Sequence, residues 1–230
     1  MTPLVLLPGM MCNARLFAPQ IEALSKERVV TVAPITEHET VEALADEVLR
    51  TSPDTFALAG VSMGGIVAME IIAKASERIE RLALLDTNPL AEQADVSLIR
   101  LRQIDEVENG HLESVMRDEM KPLYLFDSPA RDTHLALCME MALSLGRAVF
   151  IRQSKSLALR RDQCDTLKGI NIPTLVLCGR HDKLCSVQRH EFMHELIPNS
   201  TLAIVEDAGH LPTIEKPGET NELLLEWMRM

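Results

Sequence analysis

"LAGVSMGG", residues Leu58–Gly65, is an apolar run that stops on glycines with a serine inside the stop. The run before Ser62 has the length and composition of a strand buried on both faces. From Ser62 onward, "SMGGIVAMEIIAKASE" is apolar nearly all round, as a helix packed centrally on a sheet would be. A serine that leaves a buried strand and at once begins a helix must sit on a very sharp turn. Side chains two residues to either side of it would collide, and Gly60 and Gly64 remove that collision. Such a turn lifts the hydroxyl clear of the sheet and points helix N-terminal N–H groups at whatever the serine attacks.

Working outward, five more short apolar runs are bounded by Gly, Pro, Asp or Asn: Leu4–Leu7, Val29–Ala33, Leu82–Leu85, Thr174–Cys178 and Leu202–Val205. Helical patterns lie between several of them. In "TVEALADEVLRTS", from Thr40, the residues Val41, Leu44, Ala45, Val48 and Leu49 share one face. "VQRHEFMHELIP" and "KPGETNELLLEWM" read the same way. Strands alternating with helices predict an α/β fold around a parallel sheet. Between about Leu90 and Thr166 the rhythm breaks and no good strand occurs. The segment reads as helices instead: "VSLIRLRQIDEVE", "HLESVMRDEM", "ARDTHLALCMEMALSL" and "GRAVFIRQSKSLALRR", with Pro122 and Pro129 between the second and third. The expected division is therefore a core of residues 1–89 and 167–230, with a helical insertion at 90–166.

Serine is a weak nucleophile until a base takes its proton. Of seven histidines, His210 follows the last apolar run in the loop "EDAGHLP", where Gly209 permits a tight return over the strand ends. His181 is a weaker candidate in a strand-end turn, and the other five lie in polar or helical contexts. The imidazole needs an acid to fix its tautomer. Asp182 follows the preceding strand in "LVLCGRHD"; Asp86, in "LALLDTNP", is the alternative. Parallel strands converge their C-terminal ends on one edge, so Ser62, Asp182 and His210 can meet despite their separation. An oxyanion needs backbone donors. Met63, after the serine, supplies one; Met10, after Gly9 in "PGMMCN", supplies the other, with Met11 as second choice. Met11, Tyr124 and Phe126 are expected to line the substrate pocket. Arg147, Arg152 and Arg160 could meet a substrate carboxylate, although paired or solvated surface charge accounts for them as well.

Composition bounds the rest. The chain has 230 residues, 47% of them hydrophobic, and a net charge of −11 with a sequence pI near 5.1. An acidic surface repels phosphate backbones and anionic membranes, so no nucleic-acid or membrane partner is expected. No secretory signal is read at Met1–Leu7 and no apolar run approaches ~20 residues. Five scattered cysteines read as free thiols in a reducing cytoplasm. The Cys178–Cys185 spacing, with no second pair, does not suit zinc, so neither metal nor cofactor is expected.

These motifs resemble those of the α/β-hydrolase fold family. "GVSMGG", "PTLVLCGRHD" and "AGHLPTIEKP" are similar to its nucleophile elbow, acid turn and histidine loop, in the family's nucleophile–acid–histidine order. The last resembles loops of small esterases, enol-lactonases and pimeloyl-carrier-protein methyl esterases. Two departures stand out. The oxyanion loop reads Pro8-Gly9 where the family usually has His-Gly. The antiparallel hairpin that normally precedes the first strand here is expected to be missing, which leaves six mainly parallel strands. The resemblance implies a serine hydrolase of a small carboxylic ester, lactone or thioester, working through an acyl-enzyme on Ser62. Carbon–carbon bond hydrolases and perhydrolases share the same residues, and so do some small-molecule receptors.

Overall fold

A computed structural model describes all 230 residues. All six expected strands form: β1 (Leu4–Leu7), β2 (Val30–Val32), β3 (Phe56–Val61), β4 (Ile79–Leu85), β5 (Thr174–Gly179) and β6 (Ser200–Val205). They make one sheet in the order β2-β1-β3-β4-β5-β6, and every neighbouring pair is parallel. β1, β3 and β5 are buried along their whole length. That explains why these three read as unbroken apolar runs. β4 starts three residues earlier than its apolar run because its opening turn carries exposed Glu80 and half-buried Arg81. β6, an edge strand, likewise starts on Ser200 and Thr201. β2, the other edge, pairs only at Val30, Thr31 and Val32 and is half-buried, so it is shorter than its sequence run.

Side chains alternate across the sheet with the period of two that strands impose. Phe56 and Leu58 of β3 enter one core, while Ala57, Ala59 and Val61 enter the other. The first core takes the apolar faces of α2 (Val41–Thr51) and α3 (Met63–Ala75); the second takes α1 (Ala18–Leu24). Thr40 caps α2, its hydroxyl accepting the Ala43 N–H at 3.2 Å. α3 is buried on nearly every side, including Glu70. That carboxylate takes two bonds from the Arg161 guanidinium, each 2.9 Å, and one from Gln163 at 2.7 Å. The far end of the inserted segment is thus tied to the central helix.

Between β4 and β5 there is no strand. α4 (Ala94–Glu108) is followed by α5 (Leu112–Ser114), which widens into a π-helical turn at Val115–Met120 and tightens into a 3-10 turn at Lys121–Leu123. α6 (Arg131–Ala158) comes next. The two helices expected on either side of Gly146 are joined in α6, but Gly146 stands at φ 79°, ψ 175° and kinks it. α6 as a whole is long and apolar enough to cross a bilayer, unlike any single apolar run in the sequence. The kink divides it, and it buries Cys138, Met141, Ala142, Phe150 and Gln153 within the fold. The segment touches three strand-end loops. Gln153 bonds to Met11 and to the Ile35 carbonyl, Arg152 to the Thr36 carbonyl, and the Tyr124 carbonyl to His210 N–H. α7 (Cys164–Lys168), α8 (Val187–Leu196), α9 (Pro212–Glu215) and α10 (Pro217–Trp227) complete the fold. α8 joins the first core; α9 and α10 join the second.

The turn from β3 into α3 is closed by backbone approach. A Cβ on Gly60 would lie 2.3 Å from the Gly64 carbonyl oxygen, and one on Gly64 would lie 2.1 Å from the Leu7 carbonyl oxygen. Backbone cannot yield as a flexible side chain can. Gly64→Ala is therefore expected to cost more than about 3 kcal/mol of unfolding free energy by urea titration. A cost below about 1 kcal/mol would show that the turn is not packed in this way.

Candidate active site

Three non-glycine residues hold positive φ: Met11 (54°), Ser62 (55°) and Asp86 (45°). They follow β1, β3 and β4, three adjacent strands, at the same edge of the sheet. Each such conformation costs on the order of 1–3 kcal/mol and persists only where its surroundings dictate it. At Ser62 the surroundings are explicit. Its N–H donates to the Leu85 carbonyl at 2.9 Å. Its carbonyl accepts from Gly65 N–H (2.9 Å), Ile66 N–H (3.2 Å) and the Thr87 hydroxyl (2.7 Å). Thr87 is held in turn by buried His190, whose Nε2 accepts the Thr87 N–H at 3.1 Å. Burial lowers the His190 pKa to about 4, which keeps the ring a neutral acceptor. Neither Thr87 nor His190 was singled out from the sequence, because nothing in "LLDTNP" or "VQRHEF" distinguishes a supporting residue from an ordinary polar one.

The Ser62 hydroxyl lies 2.8 Å from His210 Nε2, and His210 Nδ1 lies 2.7 Å from Asp182 Oδ2. His210 and Asp182 are both buried. The other Asp182 oxygen accepts the Leu184 N–H (2.8 Å) and the Cys185 N–H (3.0 Å), which fixes the carboxylate plane. Burial alone pushes the Asp182 carboxyl up. The neighbouring His210 and the two backbone donors outweigh burial and hold it below the ordinary carboxylate value.

Asp86, the alternative acid, makes no bond to His210. It is fully buried, and one of its oxygens accepts the Gly179 N–H at 2.9 Å while the other has no partner. Burial and the charge of Asp182 raise its pKa well above the ordinary value.

The loop bearing His210 is clamped by a residue that the sequence reading passed over. Glu215 accepts Gly209 N–H (2.9 Å), Leu211 N–H (3.1 Å) and Phe126 N–H (2.6 Å). Burial raises its carboxyl pKa, against the pull of those donors. The available signal was a lone acid in the apolar stretch "GHLPTIE". Tyr124 completes the clamp: its carbonyl accepts the His210 N–H at 2.7 Å, and its ring meets the imidazole edge-on at 5.4 Å.

On the opposite side of Ser62 runs the loop after β1. A Cβ on Gly9 would sit 3.4 Å from the Ser62 Cβ, which measures how closely the loop approaches. The Met10 N–H has no protein acceptor, whereas the Met11 N–H donates to the buried Gln153 Oε1 at 2.9 Å. Met63 begins α3, where N–H groups have no partner within the helix. Of the donors considered from sequence, Met10 and Met63 are thus free and Met11 is engaged.

The remaining expected residues divide. Phe126 stacks on His181 with ring centroids 4.5 Å apart. Both line a surface cavity of about 430 Å³ that does not reach Ser62. Arg152 donates to the Thr36 carbonyl, Arg160 is paired with Glu92, and Arg147 is exposed. Asp182, Cys185 and His210 bring their ligand atoms within 4.8 Å of one another. As a metal site this set is poor, since burial raises the Cys185 thiol pKa well above its ordinary value and the other two side chains are bonded to each other. Chemically, the arrangement can move a proton from a serine hydroxyl to a buried, carboxylate-paired imidazole beside two free N–H donors.

Comparison with known proteins agrees with this architecture. A model of the alpha/beta hydrolase family matches residues 4–223. A Rhizobium rhizogenes protein named for carbamate hydrolysis, RutD, is 26% identical over 98% of this chain and 92% of its own length. A pimeloyl-[acyl-carrier protein] methyl ester esterase of Aromatoleum aromaticum is 25% identical, covering 83% of this chain and 80% of its own. Among solved structures, a malate-bound thermophilic esterase from Thermogutta terrifontis superposes with a TM-score of 0.92 at 27% identity, over 100% of this chain and 90% of that one. The chain belongs to the alpha/beta hydrolase family and is a hydrolase.

Proposed function

We propose that this hydrolase cleaves a small carboxylic ester, lactone or thioester through an acyl-enzyme on Ser62. The observation that carries the reading is the continuous relay Ser62 Oγ–His210 Nε2–Asp182, with contacts of 2.8 and 2.7 Å. His210 Nε2 takes the hydroxyl proton as Oγ attacks the carbonyl carbon. Asp182 steadies the imidazolium that results. The tetrahedral oxyanion is met by Met10 and Met63 N–H, whose donors are already in place. The imidazolium then protonates the leaving oxygen or sulfur as its bond to carbon breaks. Water enters, gives a proton to the same nitrogen and releases the acid, restoring Ser62. No step needs a metal or an organic cofactor. The relatives named for ester and carbamate hydrolysis support hydrolysis at a carboxyl-derived carbon.

Residues 90–166 act as a cap on the core formed by 1–89 and 167–230, and bring Gln153 to the loop after β1 and Tyr124 to His210. Gln153 holds the strained Met11 so that the Met10 N–H stays free. Tyr124 supplies pocket wall beside His210. The five cysteines are all free thiols, which fits a cytoplasmic enzyme.

Purified protein screened against short esters, lactones and acyl thioesters should turn over at least one class well above background. Ser62→Ala should lower kcat by about 10⁴-fold or more while leaving the unfolding midpoint close to that of wild type. Turnover that survives in Ser62→Ala would contradict the proposal. A carbon–carbon hydrolase or a receptor would instead appear as binding without ester turnover.

The two acids are separable. Asp182→Asn should lower kcat by about 10³–10⁴-fold by disfavouring the productive tautomer, whereas Asp86→Asn should stay within about tenfold of wild type. Stability gives a second readout. Unfolded, Asp86 ionises near about 4. Folded, it keeps its proton to higher pH, so over that window the native state binds more protons than the unfolded chain and Asp86 lowers stability as pH rises. The Tm advantage of Asp86→Asn over wild type should therefore grow from about pH 5 to about pH 8. An Asp86→Asn enzyme that is inactive beside an active Asp182→Asn would move the acid to β4.

A further inference from the structure

Lys121 is a fully buried lysine, 0% exposed, and its Nζ has no hydrogen-bond acceptor in the protein. A buried charge is ordinarily paired with a carboxylate or a set of carbonyls, because leaving water without compensation is costly. Lys121 has neither. Its nearest partner is a π face: Nζ stands 4.3 Å from the centroid of the Tyr124 ring. The same ring meets His210 edge-on at 5.4 Å. The charge also reaches Cys12, two residues beyond Met10, and Cys138 on α6. Burial pushes both thiols up and Lys121 pulls them back. Lys121 is thus packed against the ring that touches His210, with its charge felt in the loop that offers the Met10 N–H. The backbone there is unusual too. The π-helical turn Val115–Met120 ends directly at Lys121, and such turns recur at functional sites.

A second cation faces the same loop. Arg100 on α4 spends Nε and Nη2 on Glu92, which also takes Nη1 of Arg160. Two guanidiniums thus share one buried carboxylate, and the group retains a net positive charge. The remaining Arg100 nitrogen, Nη1, rests 3.9 Å from Met10 Sδ, a weak acceptor that an oxyanion would outcompete. In a chain of net charge −11, Lys121 and the Arg100–Arg160–Glu92 group both leave positive charge near the loop of Met10.

We propose that the pocket beside Ser62 takes a substrate bearing a free carboxylate in addition to its scissile acyl group, and that Lys121 Nζ holds this carboxylate, with Arg100 adding positive charge on the Met10 side. The class is that of half-esters of short dicarboxylic acids and related lactones or thioesters with one ionised carboxyl. A monoanion suits the site, because one ammonium and one spare guanidinium nitrogen supply little more than one charge to be met. The neutral substrate would leave Lys121 unpaired in the closed pocket, so the anion contributes discrimination as well as affinity. The inference rests on Ser62 being the nucleophile for its catalytic part only, since carboxylate binding can be read without turnover.

The test compares kcat/KM for monoethyl succinate, glutarate and adipate with ethyl esters of the same chain length that end in a methyl group. Wild type is expected to favour a half-ester at least tenfold at low ionic strength, and Lys121→Met, which keeps the stem and removes the charge, to lower that ratio at least tenfold. In parallel, Ser62→Ala protein is titrated by calorimetry with the same three monoethyl half-esters. Saturable binding is expected, and its loss is expected in the Ser62→Ala, Lys121→Met double variant. The proposal is overturned if wild type shows no preference or favours the neutral ester, if Lys121→Met leaves the ratio unchanged, or if Ser62→Ala binds none of the half-esters. Should Lys121→Met fail to fold, the wild-type ratio and the Ser62→Ala titration decide. Lys121-dependent binding without any ester turnover would uphold the anion site and remove the serine-hydrolase reading instead.

Discussion

At Ser62 the backbone stands at φ 55°, a conformation that a residue with a side chain adopts only under constraint, and the candidate site depends on that constraint being met. The strand before it is locked into the middle of a parallel sheet. The helix after it is packed on nearly every side, and the two glycines allow main chain to touch main chain. No local relaxation is open to the serine, so its hydroxyl is delivered to one place. Thr87 and the Leu85 carbonyl hold the backbone there from β4. The other parts are brought to that place by the same sheet. β1 carries the free Met10 N–H, β5 carries Asp182, and β6 carries the loop of His210.

Parallel pairing does most of this positioning, because it gathers the C-terminal ends of all six strands at one edge. Refinement comes from outside the sheet. Glu215 gathers three N–H groups around the histidine loop, and Gln153 engages the Met11 N–H while leaving that of Met10 free. Tyr124, on the inserted segment, binds the backbone of His210 and touches its ring. The two buried acids at this edge are kept in different states by their environments. Asp182, with an imidazole and two backbone donors, is shifted toward its ionised form; Asp86, buried with one donor beside a charged neighbour, is shifted toward its neutral form.

The parts legible in the sequence were those with a local chemical signature. The strand runs were visible because full burial leaves no polar residue in them. Ser62, Asp182 and His210 were visible because each stands at a strand end, in a turn that glycine marks. Edge strands β2 and β6 blurred at their ends, since half-exposed positions carry residues that also suit loops. Choosing Asp182 over Asp86 rested on strand order, and only the 2.7 Å contact to His210 separates them physically. Glu215, Gln153, Thr87 and Lys121 were not legible. Their importance lies in partners 4 to 142 residues away in sequence, or in having no partner at all, and composition carries neither signal. The segment between β4 and β5 was recognisable as helical, yet Phe126, expected in the pocket, stacks on His181.

The central claim is that His210, paired with Asp182, makes Ser62 the chain's one activated hydroxyl. Labelling with a fluorophosphonate, read by peptide mass spectrometry at neutral pH, tests it most directly. A single adduct on Ser62 is expected, formed at a rate that falls by orders of magnitude in His210→Ala. An adduct on another residue, or a Ser62 adduct that forms equally fast without His210, would contradict the account.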